Sequence, residues 1–556
     1  LEAVEPALSD LAEELGMETR PTPDLTVNIH PVQEWSTLVN RCGLDDPASD
    51  EAHFLKVESN GSAVSVHLFG KSNSALFLAA KTLRQLVRVS DGTWSIREAT
   101  LLDWPETPVR GVLEGFYGTP WKPQDRIDMM KALADLKFNL YVYAPKADTL
   151  INTAWMLPYS PQELSEISVL LQAARAQRIR VCWELHTGLA VTFSSEQHFQ
   201  WMLQKFRSVG ELGVDCFVLA FDDILKKLLG PDEQAFGSYP RAQADFANRL
   251  AAALLQEFPA AMLGFVPIEY YTNHSDAETD LALLGQLLDP AWSIAWTGVE
   301  IVPSSITEDH IVEITDLLGR PPLLADNYPV SDMVAHLGHI HLGPLENRSP
   351  TLHPLTAGLV FNAMTLPWAS LLPMATIADY AWNPAAYQPE TSLAHAAGLL
   401  FPGTVAQDMV RFAMTNRSMQ VSGTPDPVLD GLLSDLLDAC DGNDAAGFEA
   451  LAGTLANDYL EPFLRLSSLP ISAADDPLVL ELSPWLTIAG DYALAVGTWV
   501  DLAKLHLTGA SPAQADIENA VALAAALASG NVRPSGALWD NFLLQLMDRV
   551  AGLPAD

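Results

Sequence analysis

Between residues 109 and 384 short apolar runs alternate with longer amphipathic stretches, eight times over. The runs are VRGVLEG (109–115), FNLYVYA (138–144), IRVCWEL (179–185), VDCFVLAF (214–221), AMLGFVP (261–267), WSIAWTG (292–298), PLLADN (322–327) and AGLVFNA (357–363). Rich in β-formers, they read as strands buried on both faces, as in a parallel sheet. The stretches between them, such as DRIDMMKALADL, SEISVLLQAARAQ and SSEQHFQWMLQKFRSVGELG, carry helical periodicity. Eight such units over roughly 275 residues match the length and period of a (β/α)8 TIM-type barrel, an α/β fold. An open doubly wound sheet is the alternative; the eight-fold count and the absence of a GxGxxG turn weigh against it.

The flanks follow other patterns. In residues 1–107, HFLKVESNGSAVSVHLFG alternates on both sides of Asn60-Gly61, which predicts a hairpin, and the next stretch puts Leu76, Ala79, Ala80, Leu83 and Val87 on one helical stripe. This is a small α/β domain, ending at the proline-punctuated LLDWPETPVRG. Residues 108–385 form the barrel. Residues 386–556 are helical throughout, with segments such as PVLDGLLSDLLDAC and GALWDNFLLQLMDRVAG broken by Pro- and Gly-rich joints, as in a helical bundle. Trp485 and Trp539 there are expected in the core, with contact to a long substrate as the alternative.

Composition narrows the function. Hydrophobic residues make up 49% of 556 positions, ample for a large core and outside the disordered range. Lys plus Arg number 31 against 69 Asp plus Glu, a formal charge of −38. Such a surface repels phosphate backbones, so nucleic acid and anionic membranes are not expected partners, and a polyanionic polysaccharide suits it less than a neutral one. No run of about 18 apolar residues occurs, so no membrane span is expected. The four cysteines, Cys42, Cys182, Cys216 and Cys440, show no CxxC spacing, and Cys182 and Cys216 are expected as buried free thiols. The chain begins LEAVEP, without an initiator Met or a basic-then-apolar leader. Whether a signal peptide was removed stays open, and so does the compartment, a secreted or cell-surface bacterial protein being favoured.

The fourth apolar run ends in two adjacent carboxylates, Asp222 and Asp223. Neighbouring strand side chains point to opposite sides, so the pair serves one pocket only where the strand stops and the chain turns. Crowded carboxylates repel, which favours one neutral acid beside one charged partner, a glycosidase-like pairing. The competing reading makes one aspartate a helix cap and the other a solvated surface group. In a barrel, chemistry sits at the C-terminal strand ends, which carry Glu114, Gly115, Tyr117, Lys146, Glu184, His186, Glu269, Tyr270, Trp296, Asp326, Asn327 and Asn362. That ring suits a hydroxyl-rich, amide-bearing ligand.

The motifs RGVLEGFYGTPW (110–121), YAPK (143–146), FDDI (221–224), PIEY (267–270), WTG (296–298), DNYPVSD (326–332) and LVFNAM (359–364), in this order, closely resemble glycoside hydrolase family 84, β-N-acetylglucosaminidases that include bacterial relatives of protein O-GlcNAcase. The resemblance implies a retaining exo-hydrolase of terminal β-linked GlcNAc, acting on glycans, glycoproteins or O-GlcNAc-modified protein. The substrate's own acetamido oxygen is then the nucleophile and an oxazoline the intermediate. It implies Asp222 as the group that holds and polarises the acetamido N–H, and Asp223 as general acid and then base. It implies Gly115, Lys146 and Asn362 as sugar-hydroxyl contacts, Tyr270 as a donor near the oxazoline, Asn327 beside the acetamido group, Asp332 on the distal hydroxyls and Tyr117 lining the pocket. No cofactor and no metal is implied; His336, His339 and His341 lack a companion carboxylate or cysteine pattern for zinc. Ala325 stands where the family has Trp, so one wall of the acetamido pocket is wider or another aromatic, such as Trp296, fills it. Ala147-Asp148 replaces two acids, and HTG (186–188) stands for HPG. Hydrolysis within hyaluronan-like polymers and an inactive carbohydrate-binding protein are the competing readings.

Overall fold

The computed structural model describes residues 4–14, 25–61, 63–90, 93–188, 191–224, 226–228, 230–274, 276–333, 338–418, 426–473, 475–528, 532, 534 and 537–551. Near the N-terminus, β1 (Leu25–Ile29), β2 (His53–Asn60), β3 (Ala63–Gly70) and β6 (Ala99–Asp103) form a sheet in the order β1-β3-β2-β6, and β4 (Arg88–Ser90) pairs with β5 (Thr93–Ser95). The β2–β3 hairpin closes with Asn60 opposite Ala63, so the loop sits one residue later than the Asn60-Gly61 dipeptide suggests. Gly61 supplies its positive φ, +69°. The helix Asn73–Leu86 buries Leu76, Ala79, Ala80 and Leu83 as the stripe predicts. It also anchors this unit to the next, because the buried Lys81 ammonium donates to Asp135 Oδ1 at 2.7 Å.

All eight apolar runs become strands: β7 (Arg110–Glu114), β8 (Leu140–Tyr143), β9 (Arg180–His186), β10 (Cys216–Ala220), β11 (Met262–Val266), β12 (Trp292–Trp296), β13 (Leu323–Asp326) and β14 (Gly358–Asn362). They pair in parallel and close into a barrel, β14 joining β7. An open sheet is therefore excluded. Strand parity divides the core in two. Val112, Tyr141, Trp183, Phe217, Phe265, Ile294, Leu324 and Phe361 pack outward beneath the helices in one large cluster. Leu140, Val142, Cys182, Cys216, Val218 and Val360 pack inward in a small separate one.

The barrel interior corrects the cysteine expectation. Register places Cys182 of β9 directly opposite Cys216 of β10, both inward, and the two form a disulfide. Cys42 and Cys440 carry free thiols. Thirty-four residues separate the bonded pair, so only the strand register brings them together.

Beyond the barrel the described segments are helical, including Pro427–Asp441, Pro477–Leu507 and Leu538–Ala551. They share a core with Ala369, Leu372 and Ala375 of the last barrel helix, Pro367–Trp382. Trp539 is buried in that core, and Trp485 packs against it while donating its indole N–H to the Gly338 carbonyl at 3.0 Å. No helix among the described residues is long and apolar enough to cross a membrane.

Candidate active site

β10 is continuously buried from Cys216 to Ala220, and the chain leaves it at Phe221. Asp222 keeps the inward parity of Cys216, Val218 and Ala220. Asp223 then takes φ +54°, a left-handed conformation that Asp tolerates better than most residues. That turn is how two neighbouring side chains reach one cleft, with Asp222 buried and Asp223 exposed.

Their surroundings differ sharply. Lys146, beyond the end of β8, donates to Asp222 Oδ2 at 2.7 Å and lies 3.5 Å from Glu184 Oε1. His186, the last residue of β9, accepts the Gly188 N–H on Nδ1 at 3.0 Å. Its proton therefore sits on Nε2, which donates to the Asp222 carbonyl at 2.5 Å and stands 3.4 Å from Oδ1. Burial pushes Asp222 upward, but the Lys146 charge and His186 outweigh it and hold the carboxyl below the ordinary range. The repulsion expected between the two aspartates is thus not what keeps Asp222 ionised; a cation is. Burial likewise lowers His186 and raises Glu184, against the opposing pull of Lys146 on the latter.

One oxygen of Asp222 is left over. Oδ1 is buried and has no hydrogen-bond donor among the described residues. Asp223, in contrast, is gripped by two phenols: Tyr117 donates to Oδ2 at 2.5 Å and Tyr270 to Oδ1 at 3.1 Å. Burial, and then the Asp223 carboxylate, raises both phenols above their ordinary range. They remain neutral donors.

The rest of the rim is a hydrogen-bonded chain across four strands. The Gly115 N–H donates to Asn362 Oδ1 at 3.1 Å, Asn362 Nδ2 to Asn327 Oδ1 at 2.9 Å, and Asn327 Nδ2 to the Ile301 carbonyl at 2.9 Å. Asp332 Oδ2 accepts the Tyr117 N–H at 2.7 Å. The structure thus brings Asp222 and Lys146 together, and Asp223 with Tyr117 and Tyr270. Gly115, Asn327 and Asn362 form a third group, and Asp332 holds the Tyr117 backbone of the second.

Several strand-end residues do not join them. Glu114 faces outward and accepts two bonds from Arg126, both at 2.8 Å. Asp326 is fully buried against Arg348, at 2.7 and 2.8 Å. Glu269 pairs with Lys226 at 2.6 Å. Trp296 packs in the outer core, so it does not fill the place beside Ala325; the inward residue there is Ala295. Of the histidine cluster, His341 is buried with Nδ1 near the Pro329 and Val330 carbonyls, at 3.1 and 3.0 Å, and His336 lies outside the described residues. Among the described residues no group of three His, Cys, Asp or Glu is disposed to hold a metal.

Glu184 and His186, which the strand ends single out but the resemblance leaves without a role, are the neighbours of Lys146 and Asp222. Their signal is present in RVCWELH: Cys182, Glu184 and His186 share one parity, and the opposite parity, Trp183 and Leu185, is apolar.

A family model described as β-N-acetylglucosaminidase matches residues 110–414. The protein O-GlcNAcases of Mus musculus and Rattus norvegicus are each 32% identical over 257 residues, 45% of this chain. The matched region spans 27% of those relatives' length. An O-GlcNAc hydrolase mutant from Thermobaculum terrenum superposes with a TM-score of 0.72 at 26% identity, covering 80% of this chain and 95% of that one. CpGH84B superposes with a TM-score of 0.83 at 22% identity over 98% of this chain and 94% of that one, a likeness in fold.

Proposed function

Since the chain belongs to the β-N-acetylglucosaminidases of glycoside hydrolase family 84, we propose that it is a retaining exo-hydrolase. It removes terminal β-linked GlcNAc from glycans, glycoproteins or O-GlcNAc-modified protein. The observation that carries this reading is the asymmetry of the two carboxylates. Asp222 is kept ionised by Lys146 and holds a buried, unpartnered Oδ1, an acceptor in need of an N–H. A 2-acetamido group supplies that N–H.

The chemistry follows. The substrate's acetamido oxygen attacks the anomeric carbon as the glycosidic bond breaks. Asp223 gives its proton to the departing oxygen, while Asp222 accepts the amide N–H and stabilises the positive charge of the closing oxazoline. Asp223, now a carboxylate, takes a proton from the water that reopens the ring at the same carbon. The configuration is retained, and the protein supplies no nucleophile.

Tyr270 donates at the oxazoline side, and Tyr117 lines the pocket and orients Asp223. Gly115, Lys146 and Asn362 receive ring hydroxyls, Asn327 lies beside the acetamido group, and Asp332 takes the distal hydroxyls. The test compares an aryl 2-acetamido-2-deoxy-β-glucoside with the plain aryl β-glucoside. Turnover is expected only for the first, because the second lacks the internal nucleophile. Comparable cleavage of the plain glucoside would overturn the mechanism.

A further inference from the structure

Lys146 serves two carboxylates, and only one of them has a part in the chemistry proposed above. Its ammonium carries three N–H groups. The short contact, 2.7 Å, goes to Asp222 Oδ2, and the longer one, 3.5 Å, to Glu184 Oε1. The main chain of the lysine is held as well, because Asn152 Nδ2 donates to the Lys146 carbonyl at 3.1 Å. The ammonium is therefore a shared counter-ion kept in one place, and whatever Glu184 draws from it Asp222 loses.

Glu184 reaches that place by strand parity. On β9 it shares the inward face with Cys182 and His186, and register sets it beside Val218 of β10. It is buried at the edge of a cavity of about 70 Å³ in the barrel interior, whose mostly apolar lining includes Val142, Cys182, Val218 and Met262, with Ser293 as a neutral polar group. Cys182 is bonded to Cys216 and carries no charge. Among the described residues, the charged groups that act on Glu184 are thus Lys146, from beyond β8, and Asp222, from beyond β10. His186, on its own strand, is lowered by burial and so favours its neutral form. Burial pushes the Glu184 carboxyl up to about 7, with Lys146 pulling it down and Asp222 adding to the rise. Two buried acids therefore face one ammonium. Asp222 is charged on both sides of neutrality, while Glu184 is neutral in mildly acidic solution and charged in mildly alkaline solution.

We propose that Glu184 is a positioning residue for the hydrolysis: its carboxylate, once charged, draws the Lys146 ammonium away from Asp222 and so strengthens Asp222 as acceptor for the substrate's amide N–H and as counter-charge to the closing oxazoline. The inference rests on the proposed GlcNAc-hydrolase reading and adds a residue to it. The sign comes from the charges. With Glu184 neutral, Lys146 and Asp222 cancel, and the three groups offer no net charge to the cationic transition state. With Glu184 ionised they carry one net negative charge, in a site sheltered from water, where a charge is felt more strongly than in solvent.

The experiment measures kcat and KM across pH for wild type and Glu184→Gln, on an aryl 2-acetamido-2-deoxy-β-glucoside whose leaving group needs no protonation, so that the proton of Asp223 does not gate bond cleavage. A charge within about 4–6 Å moves a carboxyl by about 1–3 units. Glu184 works through Lys146, so the lower end applies, about one unit or about tenfold. The ratio of wild-type to Glu184→Gln kcat/KM is expected to rise about tenfold between about pH 5 and about pH 9, with its midpoint at about 7, whatever its value at the acid end. The rise lies in kcat and not in KM, because the positive charge it answers exists only in the transition state. Glu184→Met, which suits the apolar surroundings, reads the same ratio if Glu184→Gln does not fold. A ratio that stays level with pH in a folded variant overturns the inference, since it reduces Glu184 to a packing group. So does a rise confined to KM. A wild-type chain that fails to cleave the 2-acetamido substrate at any pH overturns the underlying function instead.

Discussion

Replacing Lys146 by Met removes the cation that, among the described residues, touches both Asp222 and Glu184. Lys146 and Asp222 are each about one-tenth exposed, and their contact is 2.7 Å. At an effective dielectric constant of about 20, Coulomb's law gives about 6 kcal/mol for that separation. This is an upper bound, because Glu184 shares the same ammonium and His186 remains in place. An opposite charge so close ordinarily lowers a carboxyl by about 1–3 pKa units, or about 1.4–4 kcal/mol. Desolvation is the largest influence on Asp222 and acts upward, so losing Lys146 leaves it opposed by His186 and a backbone hydrogen bond alone. The sign follows. Asp222 has a depressed folded pKa, so its charged form, and the activity that needs it, are lost only as pH falls through that low value. In the variant that loss begins at higher pH. The acid limb of the kcat/KM profile, which reports the free enzyme, should move up by about 1–3 units. The assay is a stopped measurement of aryl 2-acetamido-glucoside cleavage across the acid range. Lys146 also contacts sugar hydroxyls in the proposed complex, so the whole profile drops; that vertical loss is separable from the sideways shift. Lys146→Arg, which keeps the charge, should restore the limb while leaving the rate depressed. An acid limb in the Lys146→Met variant that coincides with the wild-type limb would refute the idea that Lys146 keeps Asp222 ionised.

Two further expectations follow from the same geometry. Asp223→Asn should retain much of its rate on substrates whose leaving groups need no protonation and lose most on poor ones, whereas Asp222→Asn should lose rate for every leaving group. Equal losses in both variants across a leaving-group series would show the roles to be misassigned. Away from the cleft, Arg348→Met leaves Asp326 fully buried without its guanidinium and should cost about 3–5 kcal/mol in denaturant unfolding, partly recovered by adding Asp326→Asn; a variant as stable as wild type would mean that water reaches Asp326.

The strands were legible because each apolar run is the length of a barrel strand and is closed by a turn signal. Their rim residues were legible only as a set. Read along the chain, Glu114 and Gly115, or Asp326 and Asn327, mark strand ends alike, and nothing local says which of each pair faces the axis. Closing the barrel settles parity. It sends Glu114 to Arg126 and Asp326 to Arg348, both behind the sheet, and turns Gly115, Asn327 and Asn362 into one hydrogen-bonded chain. The cysteines show the same limit. Cys182 and Cys216 each look like a small buried hydrophobe, and their bond exists only because β9 and β10 pair in one register.

Sequence alone determined the eight-fold strand and helix alternation, the helical C-terminal region and the ordered motifs around Asp222 and Asp223, because periodicity and residue chemistry are local properties. The tertiary structure decided which oxygen of Asp222 lies open and which cation holds it charged. It also decided that two tyrosines from distant strands converge on Asp223, and that a cavity lies under the cleft. Those depend on distances between residues far apart in the chain. Such distances exist only once the sheet has closed on itself.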